Sequence, residues 1–214
     1  MQQHRPFVAA LIGDMVGSRK ARDRIELQRQ MEKILSDVNR VVGGDPTFTI
    51  GDEFQARYST LHDAIEASLQ LHLRSLGLIR LRIGIGWGEL IADDPARSPF
   101  GQDGPCWWNA RDAIEAVDRS SKGRARGLRT AVRTESYLDS LLNGYLVLRD
   151  TVLSGLDEVD ARIAVGLLDG LNQTELAGQL GINKSSVSRR ANTHGILALI
   201  EARNIWVPSI PTRS

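Results

Sequence analysis

The stretch Phe7-Val8-Ala9-Ala10-Leu11-Ile12-Gly13-Asp14 decides how the first two thirds of the chain fold. Seven residues carry no charge and the eighth is an aspartate, the pattern of a buried strand that stops at its carboxylate. Residues 22–42 then place Ile25, Met31, Ile34, Leu35, Val38 and Val41 near a 3.6-residue period, which predicts an amphipathic helix. Gly43-Gly44-Asp45-Pro46 ends it. Residues 47–50 and 54–58 read as short strands joined through Gly51-Asp52-Glu53 into a hairpin. A helix over 61–76 closes at Gly77, a strand covers 78–86, and a long loop spans 91–104. A helix over 107–118 and a strand over 128–132 complete the series. This order predicts an α+β fold, an antiparallel sheet covered by helices of the ferredoxin-like kind.

Beyond Thr134 the character changes and helix follows helix. The boundary is expected between residues 134 and 150. The chain then divides into an α/β domain over 1–140, a small all-α domain over 141–205 and a tail over 206–214. Within Gln173-Thr-Glu-Leu-Ala-Gly-Gln-Leu-Gly-Ile-Asn-Lys-Ser-Ser-Val-Ser-Arg-Arg, Leu176, Ala177 and Leu180 share one face. Gly181 supplies a left-handed turn and Asn183 suits the N-cap of the next helix. Small Ala177 lets two helices meet at a steep angle, Ile182 plugs the angle and Val187 faces inward. Residues 168–194 therefore read as a helix-turn-helix, with 160–171 as the supporting helix. Its outer face would carry Lys184, Ser185, Ser186, Ser188, Arg189 and Asn192, the early ones toward base edges, and Arg190 toward phosphate.

Charge limits this reading. The net charge of +1 gives no global attraction to nucleic acid. From Thr151 onward six basic residues face six acidic ones, so only the acid-free run from Lys184 to His194 favours DNA. A single cysteine, Cys106, excludes an internal disulfide and fits a reducing cytoplasm. The four histidines lack cysteine partners at zinc spacing, and no apolar run approaches the roughly 20 residues that cross a bilayer.

In the first domain Asp14 ends a strand and Asp52 sits at a hairpin tip. If those strands are neighbours, the two carboxylates converge, and two convergent aspartates are hard-oxygen ligands of the kind that hold Mg²⁺ or Mn²⁺ against nucleotide phosphates. The basic stretch Arg119, Lys122, Arg124, Arg126, Arg129 and Arg133 could meet phosphate or simply edge a solvated loop, and Trp107 and Trp108 could stack on a base.

Three strings, residues 7–18, 50–54 and 81–89, stand in the same order as in the class III nucleotidyl cyclase catalytic domain, which the region from Phe7 to Arg133 resembles. The hairpin is also similar to that of diguanylate cyclases. GDMVGSRK, GDEFQ, RIGIGWGE and QDGPCWWNAR, followed by a helix-turn-helix, resemble the SatD family over nearly the whole chain. The C-terminal helices resemble region 4 of sigma-70-type factors. The cyclase resemblance implies that Asp14 and Asp52 bind metal and that the backbone of Met15, Val16, Gly17 and Ser18 lies near phosphates. Thr49 stands where cyclases place a purine-selecting lysine. Lys122 and Arg124 become candidate nucleotide contacts. Asn109 and Arg111 are candidates for the transition-state pair, although two residues apart where the family has four. The late strand with its phosphate-binding lysine is replaced by helix.

The combined expectation is a cytoplasmic, homodimeric, DNA-binding transcriptional regulator whose cyclase-like domain binds nucleotide with Mg²⁺ or mediates dimerisation. The alternative is an active nucleotidyl cyclase or related enzyme that uses Asp14 and Asp52, with the helix-turn-helix as its regulator.

Overall fold

The computed structural model of the protein describes residues 5–49, 51–93, 101–121 and 127–206. Strand β1 (Phe7–Val16) is the centre of a five-stranded sheet. It pairs antiparallel with β3 (Glu53–Tyr58) on one side and with β4 (Arg80–Glu89) on the other. Short β2 (Thr47–Phe48) closes one edge, β7 (Thr130–Arg133) the other, and the order is β2-β3-β1-β4-β7. A separate ribbon joins β5 (Ala92–Asp93) to β6 (Gln102–Asp103).

The expected all-antiparallel sheet is corrected at one pair, because β7 runs parallel to β4. The connection dictates this: α3 (Pro105–Ser121) lies between them in sequence, and a helical crossover returns the chain in the direction it left. The sheet is mixed and covered on both faces. Alternation along β1 sorts its side chains, with Ala9, Leu11 and Met15 in one core and Val8, Ala10 and Ile12 in another. The first core receives α1 (Arg24–Val42) through Leu27, Met31, Leu35 and Val38. Ile25 and Val41, expected on that stripe, are exposed instead. The second core receives α3, whose backbone rests directly on β4. A Cβ built at Gly84 would lie 2.3 Å from the Ala110 carbonyl oxygen, and one at Gly86 would lie 2.1 Å from that of Cys106. The string Arg82-Ile83-Gly84-Ile85-Gly86-Trp87-Gly88 is thus a strand with isoleucines on one face and a glycine track for a helix on the other.

Helix α2 (Leu61–Arg74) is buried almost all round. Its Leu61, Ala64, Ile65, Ala67 and Leu71 join the sheet core, while Leu69 and Leu73 belong to the C-terminal core. Helix α4 (Leu138–Gly155) likewise crosses the expected boundary, with Leu142 and Leu146 in the first core and Leu153 in the second. Around Leu69, Leu73 and Leu153 gather α5 (Glu158–Leu168), α6 (Gln173–Leu180), α7 (Lys184–Thr193) and α8 (Ile196–Trp206). A buried polar group pins α4 in place. The Arg149 guanidinium donates to Asp150 at 2.9 Å, to the Ser68 hydroxyl at 2.8 Å and to the Thr130 hydroxyl at 2.6 Å. Asp150 in turn accepts from the Arg129 and Thr130 amides. Among the described residues no helix is long and apolar enough to cross a membrane.

Candidate functional site

Two parts of the molecule carry the residues singled out above: the end of the sheet at Asp14 and Asp52, and the outer face of α7.

At the sheet end, Asp14 lies within β1, which continues to Val16, so the aspartate does not terminate the strand. Register places Glu53 opposite it on β3 and Arg82 opposite it on β4. Arg82 donates to both Asp14 oxygens, at 3.0 and 2.6 Å, and also to Asp118 of α3. Beside this triad Arg111 of α3 grips Glu53 at 2.6 and 3.1 Å. Burial pushes the Glu53 carboxyl up, but Arg111, helped by Gln55 and Thr49, outweighs burial and holds it below the ordinary carboxylate value. The result is a row of opposed charges between the sheet and α3.

Asp52 occupies the hairpin turn next to β1. Its carbonyl accepts from the Met15 amide at 3.2 Å, and its carboxylate accepts from the Ser18 hydroxyl at 2.5 Å. Gly17 turns the chain left-handed at φ 79, and a single 3-10 turn over Ser18–Lys20 brings the buried Ser18 back onto Asp52. A cavity of about 240 Å³ lies there, lined in part by Met15, Ser18, Arg24, Gly51 and Asp52. Val16 is half-buried at the end of β1. Thr49 is tied to Glu53 through its amide and hydroxyl. Lys122 and Arg124 lie outside the described residues.

The donor set does not fit the expected pair of metal ions. Asp14 and Asp52 are brought to one end of the sheet, as the pairing of their strands requires. Yet both oxygens of Asp14 are taken by a guanidinium, so a divalent cation there would sit against Arg82. Among the described residues no group of three or more His, Cys, Asp or Glu gathers as metal ligands do. The two candidates for the transition-state pair are separately engaged, Arg111 at this sheet end and Asn109 on the neighbouring strand. Asn109 is buried and donates to the Trp87 carbonyl at 3.1 Å, fastening α3 to β4, and Arg111 holds Glu53. Sequence reading missed Arg82, Glu53 and Asp118. Arg82 interrupts the glycine face of its strand by period two, but which carboxylate it meets depends on register, which no local pattern encodes.

The helix-turn-helix forms between α6 and α7. Asn172 caps α6, accepting from the Thr174 and Glu175 amides at 2.9 and 3.1 Å while Glu175 accepts from the Asn172 amide. Gly181 makes the left-handed turn at φ 66, and Asn183 caps α7 by accepting from the Ser186 amide at 2.7 Å. Leu176, Ala177, Val187 and Ala191 are buried. Outward stand Lys184, Ser185, Arg189 and Asn192, with Ser186 and Ser188 half-buried beside them. The Ser185 hydroxyl donates to Asn183, and the Asn192 amide donates to the Ser188 carbonyl. Lys184 and Arg189 have no ion pair among the described residues. Arg190, expected to face phosphate, is corrected: it holds Asp157 at 2.9 Å and the buried Asp160 at 2.7 Å, tying α7 to the start of α5. The Asp160 hydrogen bond and then that of Asp157 raise its already high pKa. His194 completes the clasp on Asp160 at 2.8 Å.

No curated protein matches the chain. Similar solved structures include a bacterial light-regulated adenylyl cyclase, at 18% identity and a TM-score of 0.48, covering 61% of this chain and 77% of that one. Adenylate cyclases from Trypanosoma brucei in their monomeric state are similar at 13% identity and a TM-score of 0.46, with 55% of this chain and 71% of theirs covered. The adenylyl cyclase CyaB from P. aeruginosa is similar at 15% identity and 0.44, with 54% and 74% covered. Residues 8–207 match the SatD family, and the chain belongs to that family.

Proposed function

We propose that the protein is a DNA-binding regulator that reads DNA with α7. The observation that carries this is the outer face of α7: Lys184, Ser185, Arg189 and Asn192 point outward from a capped, tightly turned helix pair, and no acidic residue interrupts the run. A helix of this kind enters the major groove N-terminus first, with its amides and Lys184 nearest the DNA. Genomic fragments captured by the protein at low salt should share a sequence, and binding to it should weaken in Arg189→Ala. Absence of any captured fragment at low salt would overturn the reading.

In the same proposal the sandwich receives the signal, a nucleotide or other phosphate compound bound at the Asp52 cavity, where Arg24 in the lining offers the positive charge. The engagement of both candidate carboxylates, Asp14 by Arg82 and Asp52 by Ser18, supports a sensor over a cyclase. Nucleoside triphosphates should raise the melting temperature of the protein, and Arg24→Ala should remove the rise. Formation of a cyclic nucleotide that Asp52→Ala abolishes would replace this reading with the enzymatic one.

A further inference from the structure

Helix α4 is amphipathic the wrong way round. Its charged residues, Asp139, Arg149 and Asp150, all turn inward or against the chain, and Arg149 and Asp150 are fully buried. Its outward face carries none. At 100° per residue Tyr137, Leu141, Gly144, Leu148 and Thr151 fall on one stripe, and every one of them is exposed. Tyr137 is 82% exposed, Leu141 64% and Leu148 71%. A helix face that meets only water is normally polar, and an apolar stripe of this kind marks a contact surface.

Gly144 adds an independent sign. A glycine weakens a helix interior, and here the fold has no use for it. Its φ is ordinary and a Cβ would meet nothing within 4 Å. A residue that costs helix stability without serving its own chain is explained if another backbone approaches from outside.

We infer that this stripe is the contact between two copies of the chain, with α4 packed antiparallel on α4 of its partner across a two-fold axis near Gly144. The spacing is self-complementary. Leu141 and Leu148 lie equally far from the point between Gly144 and Tyr145, so the two-fold sets each leucine against the other on the partner. Charge selects the occupant as well. Near a two-fold axis any charged side chain meets its own like-charged copy, so a self-interface must be neutral there, whereas a foreign partner could complement a charge. The face from Ser140 to Ser154 is neutral throughout. The contact is narrow compared with the roughly 800 Å² per partner of a standard complex, so it forms a dimer that dissociates on dilution.

This inference goes beyond the DNA-binding reading and does not depend on it, because association is measured without DNA. Sedimentation velocity of the full chain over a dilution series should show a monomer–dimer equilibrium, weakened at least tenfold in Leu148→Glu. Circular dichroism of that variant should match the wild type, since the side chain is exposed. Oxidised Gly144→Cys should form a covalent dimer, because the position lies near the axis and the native Cys106 is buried. A chain that stays monomeric up to about 100 µM, a dimer indifferent to Leu148→Glu, or no cross-link at position 144 would overturn the proposal.

Discussion

Individual side chains divide sharply between those that build the fold and those left free to act. Arg189 and Arg190 are neighbours in sequence, yet Arg190 clasps Asp157 and Asp160 while Arg189 stands in solvent. Arg189→Ala should therefore weaken DNA binding and lower the slope of log affinity against log salt by about 0.9 if one phosphate contact is lost. Arg190→Ala should instead lower the melting temperature, because the buried Asp160 then keeps only His194 and its cap contacts; equal effects of both variants on DNA binding alone would contradict this division. His72 gives a pH-dependent counterpart. Burial pushes its pKa well below the ordinary 6.5, with Arg149, Arg129 and Arg80 adding to the effect. The unfolded chain binds the proton that the folded chain refuses, so this contribution is complete above pH 6.5 and is lost as the pH falls below it. Urea unfolding at about pH 7 and about pH 5 should show stability falling on acidification, and His72→Gln should flatten much of that fall.

At the scale of elements, α3 and α4 are held by unlike means. Helix α3 rests on the glycine track of β4, so Gly86→Ala forces a Cβ into the Cys106 carbonyl and Ala110 amide. That substitution should cost about 3 kcal/mol in a denaturant titration, the upper range for overpacking, and a cost near zero would mean that α3 can lift off the sheet. Helix α4 depends on the fully buried Arg149–Asp150 pair. Arg149→Leu leaves a buried carboxylate with only two backbone amides and should cost about 3 kcal/mol. Sequence pattern located nearly all of these elements because strand alternation, helix period and glycine turns are local signals. It missed the parallel pairing of β7 and the partners of Asp14, because both depend on which strands lie side by side. The candidate site was legible to the same extent. Asp14 and Asp52 are found at one end of the sheet as their motifs imply, but the Arg82 clamp on Asp14 appears only when β1 and β4 are laid in register.

Across the whole molecule, α2 and α4 join the sandwich to the helix-turn-helix. Each contributes to both cores, and α2 also binds the C-terminal helices through Arg74–Asp169 and Glu66–Arg203. A ligand that moves α1 or α2 therefore has a packed route to α7, and no flexible linker intervenes along α4. Nucleotide binding at the Asp52 cavity should change DNA affinity, with DNA changing nucleotide affinity by the same factor. The central claim, that α7 reads DNA, is tested most directly by fluorescence anisotropy with a captured genomic fragment across a salt series. Affinity should fall steeply with salt, be lost at moderate salt in the Lys184→Ala/Arg189→Ala double variant, and be retained in Arg111→Ala. Binding that is unchanged in the double variant, or no binding at the lowest salt, would contradict that claim.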